Sequence, residues 1–492
     1  MKPRCLPHIL SLIAVSGCAV GPDYVKPETA TQPSFLGAAE GQVTPEQVLE
    51  RWWANFGDKT LNGLVTDAVR SNIDLRAAIA RVNQARAIRQ ETFLNLFPTV
   101  TSDLFYQRSQ TPTSTFAGNA FQAQNKYIEN EFFNVGVDAV WELDIFGRVR
   151  RSVEAKDAES EASVSQLQDA VRILVAEVAR TYFDLRGSQL QVSVAEQNAK
   201  TQEQVVRVAG ALFKGGQSTE FDVVRARAQH SSTLAAVPPL QARVKANIFR
   251  LAVLCGKQPH ELVAALEQPA PLPSFSGPVT IGDPAALLQR RPDIRSVEQQ
   301  LHAATAGIGV AKGDLFPKVV FSGSLGFQAN DFAELSQPGS GQYSIAPNLS
   351  WPAFNLGRVL ARVDQSEAAQ QQALARYEQA VLIALEETES ALVNYSSSKQ
   401  RRDHLKDSVS QSSRAVSIAR TQYENGLVDL LPVLDAQRVV LSNQLQLAES
   451  ETSLLVSLVT LFKSLGGGWD EAISEVRDEP ESGPLVEASR DS

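Results

Sequence analysis

The sequence predicts a mainly α chain with a small antiparallel β portion, internally duplicated into long helical coiled-coil hairpins and four membrane β-strands. Three observations predict it. WELDIFGRVRRS (141–152) returns as WPAFNLGRVLAR (351–362), so that Trp141, Gly147, Arg148 and Val149 match Trp351, Gly357, Arg358 and Val359 at an offset of 210. A seam of small and apolar residues stepping by 4 and 3 runs from Leu167 to Phe213 and recurs in phase from Tyr377 to Tyr423. Ahead of each seam, stretches of about ten residues alternate apolar and polar, the signature of a strand with one wet face. A period of 210 far exceeds the 20–50 residues of solenoid repeats, so each copy is a large unit.

The chain opens on MKPRCLPHILSLIAVSGC, in which Lys2 and Arg4 precede a short apolar run and small residues precede Cys18. This reads as a signal peptide over 1–17 and a bacterial lipobox, with Cys18 as the lipidated first residue of the mature chain. A plain signal peptide carrying a cysteine by chance is the alternative. Ala19 follows, and the lack of Asp there resembles lipoproteins sent to the outer membrane. Segment 18–58 is then a lipid-anchored N-terminal stretch.

Repeat 1 spans 59–256: a helix closed by LFP (96–98), strands at about 98–108 and 131–143, a long helix 149–213 and a return helix 220–256. Pro98 ends the first helix. In the second strand Phe133, Val135, Val137, Ala139, Trp141 and Leu143 share one face. A linker (257–283) leads to repeat 2 (284–467), with a helix closed by LFP (315–317), strands at about 318–329 and 342–353, a long helix 358–423 and a return helix 429–466. Val319, Phe321, Leu325 and Phe327, then Tyr343, Ile345, Leu349 and Trp351, carry the apolar faces. Phe132, Trp141, Phe327, Tyr343 and Trp351 suit the aromatic girdle of a membrane barrel. About nine extra residues of repeat 1 fall in the polar loop 111–127. Residues 468–492 form an acidic tail expected to be disordered.

Each long helix holds a heptad seam for about six heptads, which imposes a left-handed supercoil. At 1.5 Å per residue such a helix is roughly 100 Å long. The two turn back at matching glycines, Gly216 and Gly426. Four strands cannot close a barrel, and a bilayer tolerates no open sheet edge. Other copies of the chain must complete the sheet. Two would give eight strands and a filled interior, three twelve strands and room for a pore. A sheet packed on a soluble core would show the same alternation, but nothing else in the chain looks able to cover it.

Composition excludes most chemistry. The net charge is −9 with no basic stripe, which argues against nucleic acid as a partner. The five His are scattered and no HExxH, CxxC, GxxxxGK[ST] or GxSxG occurs, so no catalytic residue and no metal is expected. Cys5 and Cys255 make no disulfide framework. The only covalent group expected is the lipid on Cys18. After residue 18 the longest apolar run, LLVSLVTLF (454–462), is too short to span a membrane.

The lipobox followed by GPDYVKP (21–27), the paired LFP motifs, the GR after each second strand, and GLVDLLPVLDAQR (426–438) resemble the TolC-like outer-membrane factors, in particular the lipid-anchored NodT branch. The resemblance covers about 18–470. It implies a trimeric 12-stranded barrel continuous with an α-helical tunnel. The duct would be passive, docked on a periplasmic adaptor (membrane fusion) protein and an inner-membrane pump, and would pass drugs or other toxic small molecules outward. In sequence, Leu431, Asp435 and Arg438 are spaced i, i+4, i+7 and share a helix face. The resemblance implies that they form the periplasmic gate, Asp435 as a ring of three carboxylates. It also matches Tyr423 and Asp222 to a closing latch, though Val428 and Pro432 stand where relatives carry a latch arginine and an acidic residue. The tips Gly215, Gly216, Gln217, Gly426 and Leu427 are where an adaptor would grip. Two other readings stay open at this point: an exit duct for secreted peptides or proteins, and a lipid-anchored periplasmic coiled-coil scaffold.

Overall fold

A computed structural model describes residues 19–29, 32, 34–36, 43–44, 50–112, 127–277 and 279–469. The expected signal peptide, Cys18, most of the polar loop 111–127 and the tail beyond 469 lie outside them. Ten helices and six strands are defined among the described residues. They are α1 (Lys59–Ser71), α2 (Ile73–Leu94), α3 (Arg148–Lys214), α4 (Glu220–Ala235), α5 (Val237–Leu254), α6 (Val263–Leu266), α7 (Pro284–Arg290), α8 (Pro292–Gly313), α9 (Leu356–Glu424) and α10 (Leu430–Ser464), with β1 (Val43–Thr44), β2 (Thr99–Pro112), β3 (Tyr127–Leu143), β4 (Val279–Thr280), β5 (Lys318–Ala329) and β6 (Gly341–Ser350). The chain folds as two compact units, one of residues 1–27, 82–163 and 297–377, the other of 28–81, 164–296 and 378–492.

The first unit holds a four-stranded antiparallel sheet in the order β2-β3-β5-β6. Its register sets Leu104 opposite Val135, Val137 opposite Leu325, and Leu325 opposite Tyr343. Directly opposed residues share a face, so one face collects the apolar side chains of all four strands. The other collects Asp103, Asn134, Asp138, Ser324, Ser344 and Gln342. Asn134 donates to Asp103 at 3.1 Å and Gln342 donates to Asn134 at 2.8 Å, which ties this polar face across three strands. Phe132 does not join the girdle expected of it: it pairs with Gln107 and lies on the polar face beside Phe105. Phe133 takes its place, tilted against Tyr106 at 4.7 Å. β6 stops at Ser350 rather than 353, because Pro352 lacks the N–H a ladder needs.

The strand-to-helix step into α3 is built by Asp144, whose carboxylate accepts from the N–H groups of Val149 and Arg150, both at 2.8 Å. Arg148 closes it with a forked pair to Glu142 (2.6 and 3.0 Å). Gly147 is left-handed (φ 79°), whereas its repeat partner Gly357 lies inside α9.

In the second unit, Trp52, Phe56, Tyr182, Phe183, Ile248, Leu251 and Phe462 are buried together, with Trp52 stacked on Phe462 at 5.4 Å. The end of α10 is held by two buried guanidiniums. Arg172 donates to the Lys463 carbonyl (2.6 Å) and Arg291 to the Ser464 carbonyl (3.1 Å), where the helix dipole favours cations. Arg291 also pairs with Asp293 (2.6 Å) and Glu387 (2.8 Å).

Two expected helices prove to be pairs. The first breaks at Asn72, whose side chain accepts from the Leu75 N–H (3.0 Å) to cap α2 and donates to the Leu254 carbonyl (2.9 Å). The return helix of repeat 1 breaks at Ala236, just before Pro238 and Pro239, which fit only a first helical turn.

Candidate functional site

The two hairpin tips are superposable in their bonding. In the first, Gly216 (φ 72°) lets the Gln217 N–H reach the Leu212 carbonyl at 2.8 Å while its own N–H reaches Phe213 at 3.0 Å. In the second, Gly426 (φ 68°) does the same for Leu427 to Gln422 and for its own N–H to Tyr423, both at 2.9 Å. This pair of bonds closes a helix with glycine at the left-handed position. Each next helix is then capped at matched positions, Thr219 for α4 and Asp429 for α10. Gly215, Gly216, Gln217, Gly426 and Leu427 are all exposed.

Between the hairpins Val205, Ala209, Val223, Ala226, Ala419, Tyr423, Leu430, Val433 and Leu434 pack as a small core. Val428 packs against it, so the residue at the expected latch-arginine position is apolar filling. Asp222 forms a capping box with Thr219, accepting from the Thr219 N–H at 3.2 Å and hydroxyl at 2.9 Å. Tyr423 is buried, and among the described residues its hydroxyl finds no hydrogen-bond partner. Burial first, then the charge of Asp222, raises its phenol above the usual range. The structure thus brings the two latch candidates into electrostatic reach without a hydrogen bond between them.

Leu431, Asp435 and Arg438 lie on the exposed face of α10 as the spacing requires. Arg438 donates to Asp435 at 2.8 Å, with the side chains 70 % and 57 % exposed. So open an ion pair is worth at most about 1 kcal/mol, and the carboxylate stays available to other partners. Leu431, one turn earlier, is also exposed.

Two features escaped sequence reasoning. Phe221 and Val224 expose their side chains on α4, with Arg225 over the Phe221 ring at 5.7 Å. The only signal was their placement directly after the tip turn. Gln202 and Gln437 are each 2 % exposed, and neither amide finds a hydrogen-bond partner among the described residues. Among the described residues no group of His, Cys, Asp or Glu could hold a metal, and no helix is long and apolar enough to cross a membrane.

The apolar sheet face is the other candidate surface. Leu104, Leu325, Tyr343, Ile345 and Leu349 stand open on it, Tyr343 at 80 %. Among the described residues, strands β2 and β6 are the two edges, each paired on one side only.

Residues 64–257 and 284–467 match a family described as outer membrane efflux protein. The chain is 31 % identical over 476 residues to the solvent efflux pump outer membrane protein SrpC of Pseudomonas putida, covering 95 % of this chain and 99 % of the relative. It is 28 % identical over 482 residues to the cation efflux system protein CusC of Escherichia coli, covering 96 % and 100 %. Among solved structures, the outer-membrane channel OprN matches with a TM-score of 0.86 at 39 % identity, covering 92 % of this chain and all of the other.

Proposed function

The chain belongs to the outer membrane efflux protein family, and on that premise we propose that it is the outer-membrane exit duct of a tripartite efflux system. Three copies join edge to edge through β2 and β6 into a 12-stranded barrel. Their long helices continue it as a tunnel in the periplasm, and a periplasmic adaptor on the tips connects it to an inner-membrane pump. The duct is passive and the pump supplies the energy. Cys18 carries the lipid that anchors each copy. Relatives named for solvent and cation efflux favour small-molecule cargo over secreted peptides.

The sheet supports this reading most strongly. From Leu143 to Phe133 the apolar face runs ten residue steps, about 33 Å at 3.3 Å per residue. Tilted by roughly 40°, that covers the ~25 Å apolar band of an outer membrane barrel. Unpaired edges and a bare apolar face are unfavourable in water, and barrel closure in lipid satisfies both. A periplasmic scaffold would leave that face bare.

In our reading the gate lies at Asp435. Three-fold symmetry brings three such carboxylates together at the tip, where they repel one another and attract cations. Leu431 narrows the passage one turn away, and Arg438 moderates the charge. The test is single-channel conductance in planar bilayers, wild type against Asp435→Ala. A small cation-selective conductance that rises or loses selectivity in the variant supports both duct and gate. An unchanged conductance moves the gate elsewhere, and no channel from either protein rejects the duct.

A further inference from the structure

The stretch that follows the expected lipid site does not dangle. Ala19 rests on Gly147, where an added Cβ would come within 2.6 Å of the Ala19 Cα. The Val20 N–H donates to the Phe146 carbonyl at 3.0 Å. Gly21, at φ 102°, lies so close to α8 that a Cβ on it would overlap the Gly309 Cα. Gly309 has no room either: its own Cβ would meet the Arg151 side chain at 2.7 Å and the Val20 carbonyl at 2.9 Å. Gly21 of the N-terminal stretch and Gly309 of repeat 2 therefore permit one backbone crossing.

Arg151, on the first turn of α3, is buried beneath this crossing and serves it with most of its donors. Its guanidinium reaches the Val20 carbonyl (3.2 Å) and Asp23 (2.6 Å), with Glu154 on its remaining side (2.7 Å). Further on, Tyr24 stacks on His302 of α8 at 4.5 Å, and Lys26 pairs with Glu298 at 2.8 Å. Burial first, then Glu298, raises the Tyr24 phenol above its usual range. The strap thus spans both repeats: α3 belongs to the first and α8 to the second.

We propose that Ala19–Lys26 is a positioning strap for the membrane anchor. It holds residue 19 at the junction of β3 and α3, the same end of the sheet as Trp141. Cys18 is joined to Ala19 by one peptide, about 3.8 Å from Cα to Cα, so a lipid on it would be tethered to that rim. A free linker would let the anchor wander. A docked strap raises the effective concentration of the sheet at the bilayer, because lipid and sheet enter one membrane in fixed register. The proposal rests on the barrel and on the lipid reading of Cys18.

The test uses the full chain with Gly21→Val or Gly309→Ala, each with and without Cys18→Ser behind a cleavable leader. Gly309→Ala guards against simple misfolding, since alanine favours a helix more than glycine does. Proteinase K cutting within 19–27, the mass of the N-terminal peptide and the yield of assembled oligomer in outer membranes are read together. Both glycine variants should be cut about tenfold faster, since cutting tracks the undocked population, while keeping the lipid. Cys18→Ser should lower assembly in the otherwise native chain and add nothing in the strap variants. Native-like protection, or an equal Cys18→Ser effect in both backgrounds, overturns the proposal. A wild-type N-terminus without lipid overturns it through the anchor reading instead, and bilayer conductance reports on the duct separately.

Discussion

Trp141 donates its indole N–H to the Leu96 carbonyl at 2.9 Å, and the pair is written again in repeat 2 as Trp351 to Leu315 at 3.0 Å. A tryptophan near the end of the second strand, within β3 for Trp141 and just past β6 for Trp351, thus closes the LFP turn that began its strand pair. An indole can sit flat at a membrane interface while its N–H finds a backbone acceptor. Trp141→Phe keeps the ring and removes the donor. It should cost about 1 kcal/mol, the net worth of one hydrogen bond, read as a lower unfolding temperature of the purified oligomer. Trp351→Phe should cost the same. A marked asymmetry would mean that the duplicated bond is not equivalent in the two repeats.

Much of this was legible in the sequence because the duplication supplies its own control. The offset of 210 pairs Gly216 with Gly426, and the structure gives them φ 72° and 68° with the same two bonds. The alternation at Val135, Val137, Leu325 and Tyr343 placed their common face, since register follows from the pleat. What escaped were side chains that cap rather than pack. Asn72 divides a helix by binding both its own next turn and the distant Leu254 carbonyl. Asp222 is engaged by Thr219, a local bond that a latch assignment overlooks. The Arg172 and Arg291 clamp joins residues 291 and 173 positions apart, and no pattern in one sequence encodes that.

The clamp predicts an acid limb. Burial alone would raise the Asp293 carboxyl, but the Arg291 hydrogen bonds and the charges of Arg291 and Arg172 outweigh it and hold it below the usual carboxylate range. A folded value below the unfolded one adds stability that is present above the unfolded value, about 3.9, and lost as pH falls through the folded one. Wild type should therefore lose stability below about pH 4, more steeply than Asp293→Asn. The variant should be less stable at pH 7, because it leaves Arg291 less well paired. Parallel pH curves for both proteins would remove Asp293 from the clamp's energetics.

The tip core carries a different liability. Gln202 and Gln437 bury amides that find no partner among the described residues, a cost of about 1–3 kcal/mol each. Gln437→Leu is close in volume and removes it. The expected result is a gain of about that size, seen as slower amide hydrogen exchange around Val433–Gln437. Faster exchange in Gln437→Leu would show that the amide is satisfied by water and contributes to the packing.

The tip turns separate a required glycine from an incidental one. Gly426→Ala forces a Cβ into φ 68°, a penalty of about 1–2 kcal/mol, and should speed exchange at the Gly426 and Leu427 amides. Gly210 lies within α3 with nothing within 4 Å of its Cβ position. Gly210→Ala should instead stabilise that helix by about 0.5–1 kcal/mol. If both changes act in the same direction, the left-handed turn is not what sets the exchange.

The sheet offers the same contrast where closure of the barrel depends on it. Gly326 of β5 faces Gly136 of β3 on the polar side. A Cβ on Gly326 would overlap the Val135 carbonyl oxygen and come within 2.7 Å of the Gly136 Cα. Those obstacles are backbone atoms, which can yield only if the two strands separate and lengthen their ladder bonds. Gly323, three residues earlier on the same strand, would meet only the Ser344 carbonyl at an ordinary 3.6 Å. Gly326→Ala should therefore lower the fraction of chain recovered as heat-modifiable folded oligomer, while Gly323→Ala should leave it near the wild-type value. A barrel that needs this close approach to curve will separate the two alanines, since both remove the same backbone freedom from the unfolded chain. Equal losses would trace the effect to that shared change and would free the β3–β5 crossing from any special role.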